Sequence, residues 1–254
     1  MSIAPELWEL AKSENINIKN NSIKSIIDAG YSYSFPGMIM YCIDNNLPMS
    51  LVRLGDGELY ILAQEIVYSI DYIKQHVGWS HSTGYCGASV PSIPLRDRMI
   101  ESIKNATVVG MFKNDPFNKE IFEKIGFYPK NICEAFENLY LPMRKDFVDI
   151  IRKYPPLLIG RKSQVYANYF KQILNVDIPA CIGIESYREI DSVIEQAMKI
   201  SDQWKWCLVS AGVPAVVIAG ELDYKYGKVA LDFGHSADNA IEPTWREYWF
   251  NTEV

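Results

Sequence analysis

An α/β fold, with a mostly parallel sheet of about six strands flanked by helices, is what this sequence predicts. Three observations carry that prediction. From residue 51 onward, short apolar runs alternate with amphipathic stretches of helical period. The runs are almost continuously apolar, as strands covered on both faces must be. Glycines and polar residues collect directly after the runs. In a parallel sheet those positions share one edge, and ligands bind beyond it.

The elements follow in order. Residues 1–50 read as a helical N-terminal segment packed on the main domain, through ELWELAKSE, SIIDAGYSYS and PGMIMYCIDNN. Residues 51–254 form the main domain. Its first strand is LVRL (51–54), followed by GDGE and a helical stretch, LYILAQEIVYSI. A Gly/Ser-rich loop at 78–91 carries Trp79, His81 and Tyr85. Its aromatic rings suit stacking on a sugar or base, or else it is a plain surface loop. The later strands are TVVGMF (107–112), PLLIGR (156–161), IPACIGI (178–184), KWCLVSA (205–211) and KVALDF (228–233). Helices are predicted at PLRDRMIESIKN, KEIFEKIG, LPMRKDFVDIIRKY, SQVYANYFKQILN, YREIDSVIEQAMKIS and PAVVIAGELDYKYG. Asp115 and Glu185–Ser186 stand where either a helix cap or a ligand contact is expected.

The composition narrows the function classes. Apolar residues make up 48% and charged residues 22%, with a net charge of −6. Such a balance belongs to a globular protein and excludes broad nucleic-acid binding, which needs a basic surface. No apolar run approaches the roughly 20 residues of a membrane span. MSIAPELWELAKSENINIKNN lacks the basic-then-apolar pattern of a signal peptide. Five scattered cysteines without CxxC spacing read as reduced thiols. A cytoplasmic enzyme or binding protein is expected.

The chemistry concentrates after the strands. Asp56 and Glu58, in a glycine turn that opens a helix, form an Asp-x-Glu pair able to hold a hard divalent cation. Gly55 and Gly57 would let a ligand approach the backbone, and the helix start favours phosphate oxygens. The competing reading makes Asp56 and Glu58 ordinary helix-start residues. Arg53, inside an apolar run, needs a partner: a carboxylate or a ligand phosphate. Arg161 and Lys162 open a helix against its dipole, which suits an anionic ligand or plain solvation. Ser210-Ala211-Gly212 joins a strand to a helix and either meets a phosphate or serves packing. In Asp232-Phe233-Gly234-His235-Ser236-Ala237-Asp238, Asp232 is expected at the buried strand end. His235 and Asp238 face solvent there, with His235 placed for metal, diphosphate or proton transfer.

Together, Arg53-Leu54-Gly55-Asp56-Gly57-Glu58 and Asp232-Phe233-Gly234-His235 with Asp238 resemble the two hallmarks of bacterial GT-D fold glycosyltransferases. Arg161 and Ala211-Gly212-Val213-Pro214 look like the features that family carries between them. The resemblance spans about residues 45–240 and implies a Rossmann-like enzyme. It would transfer a sugar from a nucleotide-diphosphate sugar, commonly a UDP-sugar, to a glycan or glycoprotein acceptor. Mn2+ or Mg2+ would act through Asp56 and Glu58. His235 and Asp238 would complete the catalytic site. Arg53, Gly55, Gly57, Arg161, Ser210, Gly212 and Gly234 would bind the donor. The alternatives are a metal-dependent phosphohydrolase and a non-catalytic nucleotide- or glycan-binding module.

Overall fold

The computed structural model describes residues 34–112 and 114–236. The expected helix at 6–14, residues 25–33 of the one expected at 25–34, and Asp238 lie outside them.

One sheet organises the chain. Its strands are β1 (Met49–Arg53), β2 (Val108–Gly110), β3 (Ile132–Cys133), β4 (Leu157–Gly160), β5 (Cys181–Ile182), β6 (Trp206–Ser210) and β7 (Val229–Asp232). They lie in the order β3-β2-β1-β7-β6-β4-β5. Every pairing is parallel, with Leu51 opposite both Val108 and Leu231, and Leu231 opposite Leu208. All six apolar runs became strands of this one sheet. The seventh, β3, has two residues at the sheet's edge, too short to leave an apolar run in the sequence.

Helices cover both faces. On one side α1 (Phe35–Asp44) packs with α7 (Lys145–Lys153) and α8 (Ser163–Leu174). Leu51, Leu158, Leu208 and Leu231 point into this layer with Phe147 and Trp206. The other layer takes the alternate residues, Val52, Val109, Ile159, Val209 and Ala230. These meet α2 (Asp56–Ala63), α4 (Ile93–Asn105), α5 (Pro116–Ile125), α9 (Ile190–Lys199) and α10 (Val213–Tyr224). Two covered faces explain the near-continuous apolar runs. Helix α10 is buried from Val213 to Asp223, which accounts for its apolar composition all round.

Local chemistry sets the boundaries. The Ser34 hydroxyl accepts from the Gly37 N–H at 3.0 Å and starts α1. Asp115 does the same for α5, accepting from the Asn118 N–H at 3.1 Å, so it is a cap. The expected helix LYILAQEIVYSI is two helices. The first, α2, ends at Ala63, and Glu65 takes a left-handed φ of 54°. Ser69 then caps α3 (Ile70–His76), accepting from the Tyr72 N–H. Four short elements complete the description: 3-10 turns at Gly78–His81, Leu141–Met143 and Tyr187–Glu189, and α6 (Glu137–Tyr140).

Candidate functional site

Because the strands are parallel, the loops after all seven open on one edge. There they line a cleft of about 450 Å3, within the usual range for a small-molecule site. Gly55–Glu58 follow β1, Phe112 follows β2, and Ala135–Phe136 follow β3. Arg161 and Lys162 follow β4, Ile184 and Glu185 follow β5, Ser210–Gly212 end β6, and Gly234–His235 follow β7. Tyr85, Cys86 and Gly87 contribute from the loop before α4. Every described residue to which the family resemblance assigns a site role therefore lines the same cleft, whereas Trp79, His81, Asp115 and Ser186 do not.

The Asp-x-Glu pair opens α2. Asp56 is exposed, and its Oδ2 accepts the Tyr85 hydroxyl at 3.0 Å. Glu58 folds back, and its Oε2 accepts from the Gly55 N–H at 3.0 Å. The capping contribution is thus present at Glu58. Cap and ligand roles coexist there, because a carboxylate has more lone pairs than one N–H uses. Burial first, then the nearby Asp232 carboxylate, pushes the Glu58 carboxyl up to about 7, against the pull of Arg53. Burial likewise raises Asp232 above the usual carboxylate range, although Arg53 opposes it.

Arg53 finds its partner in the protein. Its Nε donates to the Asp232 carbonyl at 3.1 Å and its Nη2 to Asp232 Oδ1 at 3.2 Å. Its Nη1 donates to the Ala135 carbonyl at 3.0 Å and to Asn138 Oδ1 at 2.7 Å. Four of the roughly five N–H donors of a guanidinium are therefore engaged. Of the two partners open to this arginine in the sequence, the carboxylate is the one it meets. Asn138, which no motif announces, holds the rest of the joint. Its Nδ2 donates to the Phe233 carbonyl at 2.8 Å and to Ser236 Oγ at 2.6 Å.

The glycines are explained by protein packing. Gly234 has a left-handed φ of 49°, and a Cβ there would overlap the Arg53 guanidinium. Gly212 has φ 62°, and its Cβ would overlap the Cys86 carbonyl. A Cβ at Gly57 would stand 3.0 Å from that of Cys86, and one at Gly55 would stand 3.1 Å from Glu58 Oε2. Close approach is required at these positions, as expected, but the approaching groups are the chain's own.

Arg161 is half-exposed on the cleft rim, its Nε 2.7 Å from Glu185 Oε2. Glu185 thereby serves as an ion-pair partner. Tyr85 stacks on Trp79 at 5.6 Å between centroids and 24° between planes, and Tyr85 lines the cleft. His81 instead points a ring nitrogen at the Lys74 carbonyl, 3.0 Å away, and stands outside the cleft lining. Of the three histidines only His235 lines the cleft, and it is exposed. Phe112, Phe136 and Tyr166 also line it and escaped the sequence reading. Phe112 is the last residue of a predicted strand and could have been picked out by the rule that placed the others. Among the described residues, no group of three or more His, Cys, Asp or Glu side chains forms a metal-ligand set.

The chain is similar to two solved structures, at levels of identity that speak to the fold. One is titled as a selenomethionine-substituted domain of unknown function 1792, with 14% identity and a TM-score of 0.50. The other is titled as showing that this highly conserved domain has a distinct glycosyltransferase fold, with 15% identity and a TM-score of 0.52. Each match covers 95% of this chain and 85% of the other. No curated protein matches the chain. The family model described as a GT-D fold-like domain matches residues 37–240. Sheet, cleft and family model agree, and the chain belongs to the GT-D fold-like domain family.

Proposed function

We propose that this protein is a glycosyltransferase. It moves a sugar from a nucleotide-diphosphate sugar, a UDP-sugar in our reading, to a glycan or glycoconjugate acceptor. The observation that carries this reading is one cleft that collects Asp56 and Glu58, the cations Arg161 and Lys162, and His235. Family membership supports it.

A divalent cation fits the donor set. Mg2+ and related ions are commonly held by one or two carboxylates plus substrate phosphates and water. Glu58 and Asp232 also crowd negative charge that a cation would relieve. Asp56 and Glu58 would hold Mn2+ or Mg2+, which when bound would neutralise charge on the departing diphosphate. Arg161 and Lys162 bind the diphosphate oxygens, with Arg161 turning from Glu185 to do so. His235 contacts the diphosphate from the β7 side, and Ser210 and Gly212 border it. Asp238 is assigned to the same centre from its place in the motif. Arg53 contributes indirectly, by fixing the ends of β1 and β7 on which Asp56 and His235 stand.

Incubation with UDP-glucose and Mn2+, without acceptor, tests the reading. Slow release of UDP supports it. Release of UMP and glucose 1-phosphate would make the protein a phosphohydrolase, and binding without turnover would make it a binding module. Asp56→Asn and Glu58→Gln should each abolish turnover. Glu58→Gln keeps an oxygen for the Gly55 N–H, so its thermal midpoint should stay near that of the wild type.

A further inference from the structure

The two sides of the cleft differ in chemistry. Over β4 and β5 stand Arg161, Lys162 and Glu185, with Tyr166 and Ile184 beside them. Over β2 and β3 the lining residues, among those described, are Phe112, Ala135 and Phe136, none of them charged. The acidic turn after β1 and His235 after β7 lie between, because β1 and β7 occupy the middle of the strand order. Four strand spacings separate β2 from β4, on the order of 19 Å.

We propose that Phe136 is the platform on which a sugar ring of the acceptor stacks. This rests on the transferase reading above. The donor's diphosphate is anionic and belongs with the cations over β4. The acceptor hydroxyl has to reach the acidic middle from the remaining side. Among the described residues that side carries no charge in its lining, which suits a neutral sugar, and it presents a ring face. A pyranose carries C–H groups on one face and hydroxyls at its rim, so a phenyl ring matches the face and leaves the hydroxyls free to hydrogen-bond.

Phe136 is built to be held still while exposed. It remains 48% accessible, yet the backbone on either side is pinned. The Ala135 carbonyl accepts from Arg53 Nη1, the Phe136 carbonyl accepts from the Leu139 N–H at 2.9 Å, and Asn138 is buried. The Phe112 ring meets Phe136 edge to face, 5.3 Å between centroids at 74°. A T-shaped neighbour orients the ring, and Phe136 stays exposed beside it. Tyr140 and Met143, in the segment that follows Phe136, are also exposed.

The test is titration of cellobiose, lactose and maltose against full-length protein loaded with UDP and Mn2+, followed by ligand-observed NMR. Calorimetry of UDP runs in parallel. At least one disaccharide should bind the wild type. Phe136→Ala should weaken that binding about tenfold, equivalent to about 1.4 kcal/mol. Phe136→Leu should weaken it nearly as much, because bulk without a ring face is insufficient, while Phe136→Tyr should retain it. UDP affinity should be the same in all four proteins. A drop in UDP affinity on Phe136→Ala would assign the ring to the donor base and overturn the proposal. Disaccharide binding that ignores Phe136, or no disaccharide binding to the wild type, would overturn it too. Failure of UDP to bind the wild type would instead refute the transferase reading.

Discussion

Removing the Arg53 guanidinium should unfold the protein more readily than it weakens ligand binding. Arg53 is 13% exposed and its Asp232 partner 3%. Truncation to alanine deletes four hydrogen bonds and leaves the Asp232 carboxylate buried beside Glu58. Breaking a buried pair from one side typically costs about 3–5 kcal/mol. In a domain of about 200 residues each kcal/mol lowers Tm by roughly 2–4 °C, so Arg53→Ala should melt on the order of 10 °C lower. Arg53→Lys should recover little, since an ammonium cannot reproduce the planar fork. Asp232→Asn removes the stranded charge, so adding it to Arg53→Ala should cost less than the sum of the two single changes. Urea denaturation of the two single variants and the double variant gives that coupling energy. A penalty for Arg53→Ala below about 0.5 kcal/mol, typical of ordinary surface substitutions, would refute the joint. So would strict additivity with Asp232→Asn.

Two further predictions concern neighbouring residues. Gly234→Ala should destabilise by about 2 kcal/mol or more, from left-handed strain and overlap with the guanidinium. In an Arg53→Ala background, denaturation should show that penalty falling to the strain alone. Glu137 is buried with an unpartnered Oε2, and burial pushes its carboxyl up to about 7. A raised pKa means stability that is full below the unfolded value of about 4.5 and is lost as pH rises through about 7. Glu137→Gln has no such proton to lose. Its stability relative to the wild type should therefore rise between about pH 5 and pH 8, by up to about 3 kcal/mol at 1.36 kcal/mol per pKa unit. A constant difference across that range in pH-dependent denaturation would contradict the assignment.

Much of the fold was legible because burial on both sheet faces writes continuous apolar runs into the sequence. The candidate site was legible because parallel strands send all their following loops to one edge. GDGE, Arg161, Ser210–Gly212 and Gly234–His235 could be grouped without coordinates for that reason alone. Phe136 could not be found this way. It follows a strand of two residues whose edge pairing leaves no periodic trace. Asn138 belongs to a four-residue helix and acts through residues 85 and 95 positions away.

By itself, then, the sequence determined the class of fold, the positions of the long strands and the edge at which polar chemistry gathers. These are consequences of local apolar pattern and of parallel direction. Only the tertiary structure decided what each polar group meets. Arg53 lies 179 residues from Asp232, and nothing local tells whether its charge faces a ligand or a carboxylate. The insertion of β7 beside β1 decides it, by bringing those strand ends within hydrogen-bond reach. The same strand order sets the cations over β4 apart from the rings over β2 and β3. The partner of a charge and the polarity of a cleft depend on which strand ends become neighbours, and strand order is not written in the period of any one segment.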